Sequence, residues 1–214
     1  MGREFELKYA SDPAQQEKIL EDLGEFITIC METSYYDTPD GALAARKITL
    51  RRRMENGVSV CTVKTPLDTH GRGEWETQCP EIDMAIGELC KLGAPEALLH
   101  LTAGGLVNTC GAAFTRHALT LTVPGAVIEV AVDRGRLFAG HREAPICEVE
   151  AELKEGSEEA LLRWAEEFAR HYHLSPEPKS KFARASALAR EQIASPEGEG
   201  IGADAPIRSI YSGI

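Results

Sequence analysis

The sequence has no apolar run approaching the roughly 20 residues that a membrane-spanning helix needs. Its N-terminus, Met1-Gly2-Arg3-Glu4, lacks the apolar stretch of a secretion signal. A cytoplasmic protein with no membrane partner is the expectation. Basic excess is also missing: 34 acidic against 23 basic residues leave a formal charge of −11, the opposite of a nucleic-acid binder's electrostatic footprint. Clustered cysteines are absent too. No two of Cys30, Cys61, Cys79, Cys90, Cys110 and Cys147 lie within three residues of each other, which excludes zinc knuckles and CxxC redox pairs and leaves buried thiols.

What is present is enough for one domain with its own core: 214 residues, 43% hydrophobic and 27% charged. Residues 1–194 carry periodic signal, whereas 195–214 form a glycine-rich tail. A first strand over 3–10 precedes a helix capped at Ser11 or Asp12 and running to Leu23, with Ile19, Leu20 and Leu23 as its buried stripe. Asn56-Gly57 marks a hairpin between strands at 48–55 and 58–65. Further strands are expected at 25–36, 73–79, 112–122, 125–133, 135–140 and 144–153, with Arg134-Gly135 read as a turn. Helices are expected at 81–101, broken at Gly93–Pro95, at 157–173 and at 180–193.

The strands alternate charge with apolar residues. Glu148, Glu150 and Glu152 share one parity while Cys147, Val149, Ala151 and Leu153 take the other. The same holds for Glu4, Glu6 and Lys8, for Arg51 and Arg53, for Lys64, for Glu74 and Glu76, for Arg116, and for Glu129 and Asp133. An ordinary half-solvated sheet would give such alternation. So would an α+β fold in which an antiparallel barrel has helices packed outside and a charged lumen, and the near-exclusive use of Arg, Lys and Glu favours this second arrangement. Converging guanidinium and ammonium groups make a cage for a polyanion. Carboxylates among them would repel phosphate unless a hard cation, Mg²⁺ or Mn²⁺, bridges the two.

Glu4-Phe5-Glu6-Leu7-Lys8 resembles the ExExK signature of the CYTH domain family, the triphosphate tunnel metalloenzymes. Collinear likenesses follow at Tyr35 to Asp40, Leu50 to Arg53, Thr62 to Lys64, Glu74 to Glu76, Glu129 to Gly135, Glu148 to Leu153 and Ser180-Lys181. The resemblance implies an eight-stranded antiparallel tunnel that hydrolyses a triphosphate, nearest in pattern to bacterial inorganic triphosphatases. By that likeness Glu4, Glu6, Glu148 and Glu150 would hold metal. Lys8, Arg51, Arg53, Lys64, Arg116 and Lys181 would hold phosphates. Glu74, Glu76, Glu129 and Asp133 would position metal-bound water or the basic side chains. Relatives of this kind often carry a C-terminal helical CHAD domain, where this sequence has residues 195–214.

Two other readings stay open at this stage. One is an enzyme for an organic triphosphate, such as a thiamine triphosphatase, a nucleoside triphosphatase or a class IV adenylyl cyclase; the other is a polyphosphate-binding module without catalysis. In the tail, Ile201, Ile207, Ile210, Tyr211 and Ile214 are apolar anchors that would suit docking on the barrel or on a second copy in a homodimer.

Overall fold

The computed structural model describes residues 5–66 and 72–194. Glu4 and the tail from residue 195 lie outside the described residues. The elements in chain order are β1 (Glu6–Ala10), α1 (Pro13–Leu23), β2 (Ile27–Asp37), α2 (Ala42–Ala45), β3 (Thr49–Glu55), β4 (Val58–Pro66), β5 (Arg72–Gln78), α3 (Ile82–Lys91), α4 (Ala97–Leu101), β6 (Val107–Val123), β7 (Ala126–Ala139), β8 (Arg142–Gly156), α5 (Glu158–His171), β9 (Ser175–Pro176) and α6 (Lys181–Ala194).

Local chemistry sets most of these boundaries. Asp12 caps α1 through the Gln15 amide at 2.8 Å and the Gln15 side chain returns the bond, a reciprocal pair that satisfies two otherwise orphaned N–H groups. Asn56 and Gly57 take φ of 47° and 88°, the positive values a tight hairpin needs. The Asp37 carboxylate accepts from the amides of Thr38, Leu43 and Ala44, so this acid is spent on the start of α2.

All strands join one antiparallel sheet in the order β5-β4-β3-β2-β6-β7-β8-β1-β9. Among the described residues the ladder has nine strands rather than eight, because Ser175–Pro176 adds a short edge to β1, and β5 and β9 are its open ends. The expected turn at Arg134-Gly135 is not one. β7 runs unbroken, with Gly135 opposite Phe114. A Cβ at Gly135 would stand 2.2 Å from the Ala113 carbonyl oxygen and 2.5 Å from Phe114 Cα, so the glycine serves close strand approach rather than a reversal.

The convex face carries two cores. Tyr9, Ile128, Val130, Val132, Val149 and Ala151 pack under α1 and α5, where Leu161 and Ala165 are wholly buried. Leu50, Cys61, Val63 and the partly buried Trp75 pack under α3 and α4. Each fully buried Leu or Ile contributes about 1.5–3 kcal/mol. A third core lies on the concave face, where α6 sets Phe182, Ala185 and Leu188 against Met31, Ala112, Phe114, Leu137 and Ile146. The antiparallel sheet with helices packed against it is as expected, and α6 is the helix that closes over the inner face. The inner face is half charged and half apolar, and α6 covers the apolar half.

Candidate active site

The curled sheet encloses a cavity of about 380 Å³ lined from seven strands and the first turn of α6. Lys8, Arg51, Arg53, Lys64, Arg116 and Lys181 all line it. Five come from β1, β3, β4 and β6, where strand parity turns them inward, and Lys181 comes from the first turn of α6.

Each cation is held by acids. Arg116 forks onto Asp133 at 2.8 and 2.7 Å and also meets Glu150. The Lys181 ammonium lies 2.7 Å from Asp133 and 2.9 Å from Glu150, and also contacts Glu148. Lys8 stands 3.3 Å from Glu150 and 3.7 Å from Glu6. On the facing wall Glu74 pairs with Lys64 at 2.8 Å and Arg51 at 3.8 Å, while Glu76 accepts from Thr62 at 3.1 Å and lies 3.9 Å from Arg53. Arg51 Nε is buried with no hydrogen-bond partner among the described residues, a donor left over for a ligand.

Asp133 and Glu148 are fully buried. Burial raises the Glu150 carboxyl, but Lys181, Arg116 and Lys8 outweigh it and hold that group well below the usual carboxylate range. Burial pushes the Glu148 carboxyl up, with Lys181 opposing. Burial would lower Lys181 and Arg116, yet their carboxylate partners raise both. These two stay cationic at any working pH.

Of the expected metal ligands, Glu148 and Glu150 lie together, and Glu6 stands further toward the C-terminal end of β8. Glu6 pairs in register with Glu152, and Lys8 with Glu150, while Glu148 lies opposite Ala10. Glu152 also stands opposite Glu129 of β7, and Lys154 bridges these two at 2.8 and 3.4 Å. Asp133, Glu148 and Glu150 can each bring one oxygen within 4.8 Å of the others, but Lys181 already sits among them.

A family model for the CYTH domain matches residues 2–186. The chain belongs to the CYTH domain family. It is 30% identical over 192 residues to an inorganic triphosphatase of Haemophilus influenzae, a match covering 85% of this chain and 54% of that protein. This chain thus spans about half the length of the curated relative it matches. A Hippeastrum protein, described as having a dominant triphosphatase activity, superposes with a TM-score of 0.63 at 20% identity, covering 86% of this chain and 96% of that one. A Pyrococcus horikoshii protein gives 0.52 at 18%, covering 85% and 97%. Both show the same fold.

Two further cations of this CYTH domain, Arg184 and Lys154, pair with its acids without having been expected in the site. Arg184 meets Glu148 and lies 3.7 Å from Glu177. Its signal was its place three residues after Lys181, on the same helical face. Lys154 continues the alternation of Glu148, Glu150 and Glu152, and was legible by parity alone. No helix among the described residues is long and apolar enough to cross a membrane.

Proposed function

We propose that this CYTH domain hydrolyses inorganic triphosphate to pyrophosphate and phosphate with the help of a divalent cation. The observation that carries the reading is the convergence of six basic side chains from five elements on one cavity whose acids fix their positions. The Haemophilus influenzae relative, an inorganic triphosphatase, supports the substrate class.

Donor chemistry supports the metal. The acids of the cavity offer oxygen only, which suits a hard cation. Glu6, Glu150 and Glu152 line the cavity and would hold it, whereas Glu148 is buried under Lys181 and Arg184. When bound, Mg²⁺ or Mn²⁺ neutralises charge on phosphoryl oxygens and acidifies water.

The chain's own residues do the rest. Arg51, Arg53 and Lys64 grip phosphate oxygens from one wall, and Lys8, Arg116 and Lys181 from the other, stabilising charge that moves toward the leaving pyrophosphate. Glu74, Glu76 and Asp133 act through the cations they hold. Glu129 faces the cavity and takes the proton of the attacking water on its carboxylate.

Phosphate release from tripolyphosphate, thiamine triphosphate and ATP, with Mg²⁺ or Mn²⁺ and with EDTA, tests this reading. Release is expected to be fastest from tripolyphosphate and lost with EDTA, and Glu6→Gln should cut it by about 10²-fold. Tripolyphosphate binding without turnover would make the chain a binding module, and cyclic AMP formed from ATP would make it a cyclase.

A further inference from the structure

The buried stripe of α1 has one polar member. Ile19, Leu20 and Leu23 continue one turn back to Gln16, which is completely buried. A buried amide costs stability unless it is bonded, and this one is bonded on both sides. Its Nε2 donates to the backbone carbonyl of Asp133 at 2.9 Å and to that of Glu148 at 3.4 Å. Its Oε1 accepts from Arg134 Nε at 2.8 Å. The orientation follows from the partners, since a carbonyl cannot donate and a guanidinium cannot accept.

The two carbonyls belong to a facing pair in the ladder, Asp133 opposite Glu148. Their side chains pass through to the concave face, where Asp133 holds Arg116 and Lys181 and Glu148 holds Lys181 and Arg184. Arg134 closes the arrangement from behind by donating to the Pro13 carbonyl at 2.9 Å, which ties the first turn of α1 to β7.

We infer that Gln16 is a positioning residue: one amide on the convex face fixes the backbone from which the two buried acids set the phosphate-gripping cations. This inference rests on the functional reading above. Gln16 touches no substrate and acts through Asp133 and Glu148. The open carboxylates Glu6 and Glu152 lie beyond its reach on the ladder, opposite each other toward the far end of β8.

The test compares Gln16→Met, which keeps length and loses every polar contact, with Leu20→Ala, which loosens the same helix without touching the amide. Tripolyphosphate affinity is measured by calorimetry, and kcat, KM and the Mg²⁺ half-saturation by phosphate release, all well below the melting temperature. Gln16→Met is expected to weaken tripolyphosphate binding and raise KM by about tenfold or more, with Mg²⁺ half-saturation unchanged, while Leu20→Ala lowers the melting temperature and leaves KM alone. Should Gln16→Met fail to fold, Gln16→Glu keeps the acceptor for Arg134, removes the donors, and is expected to show the same loss. Equal KM in the glutamine and leucine variants overturns the inference. Wild type that binds tripolyphosphate without turnover overturns the functional reading while the affinity comparison still decides the role of Gln16; wild type that does not bind overturns both.

Discussion

Arg52 and Arg53 are neighbours with opposite fates. Arg53 lines the cavity beside Glu55 at 2.5 Å and Glu76 at 3.9 Å, whereas Arg52 turns to the convex side and donates to Ser59 at 3.0 Å. Arg53→Ala is expected to raise KM for triphosphate and lower kcat/KM by about 10²-fold, because its fork meets charge on the transferring phosphate. Arg52→Ala should leave both constants unchanged. Like behaviour of the two variants in steady-state phosphate release would break the assignment of β3's inner face. This division was legible in the sequence because a strand has period two, so each inward residue fixes the next. Gln16 was not legible, since a glutamine on a helical stripe reads as a flaw in the pattern until its two carbonyl partners are seen.

At the scale of elements, α6 is where local and tertiary information part. A helix at 180–193 was expected, and Ser180 caps it by accepting from the Ala183 amide at 3.1 Å. Its position did not follow. Phe114, Leu137 and Ile146 share parity with Arg116, Asp133 and Glu148, so alternation placed them on the inner face without saying what would cover them there. The cover is α6, which reaches inside and brings Lys181 and Arg184 with it. Gly135 misled for a related reason, because glycine signals a turn as readily as a close approach of strands. Ala185 is fully buried between α6 and the sheet, so packing and site are coupled at this residue. Ala185→Leu is expected to cost about 1–3 kcal/mol by overpacking, lower the melting temperature, and weaken tripolyphosphate binding by shifting Lys181 one turn upstream. A variant that melts early yet binds normally would mean that the ion pairs alone hold the first turn of α6.

For the whole molecule, a chain of net charge −11 gathers its cations inside and fixes them with buried acids, so folding and site electrostatics share one set of contacts. The consequence is sensitivity to acid. Glu150 is held well below the usual carboxylate range: burial opposes this, and Lys181, Arg116 and Lys8 together outweigh burial. A carboxylate depressed on folding stabilises the native state fully above its unfolded pKa of about 4.3, and that contribution is lost as pH falls from there toward the folded value. Glu148, pushed up by burial, works in the opposite sense, so the comparison with a Glu150 variant separates the two. Lys181 and Arg116 stay charged throughout, so protonating Glu150 leaves them buried with one partner fewer. In EDTA, the melting temperature of the wild type is therefore expected to drop steeply as pH is lowered below about 4.3. Glu150→Gln should melt lower at neutral pH and show a shallower acid limb, since it has already lost the charge that acid would remove. Net negative charge also falls on acidification and relieves repulsion in both proteins, so the difference between the two curves isolates the carboxylate. Parallel curves would show that Glu150 does not carry the acid sensitivity, and that the cations of the cavity are held chiefly by Asp133 and Glu148.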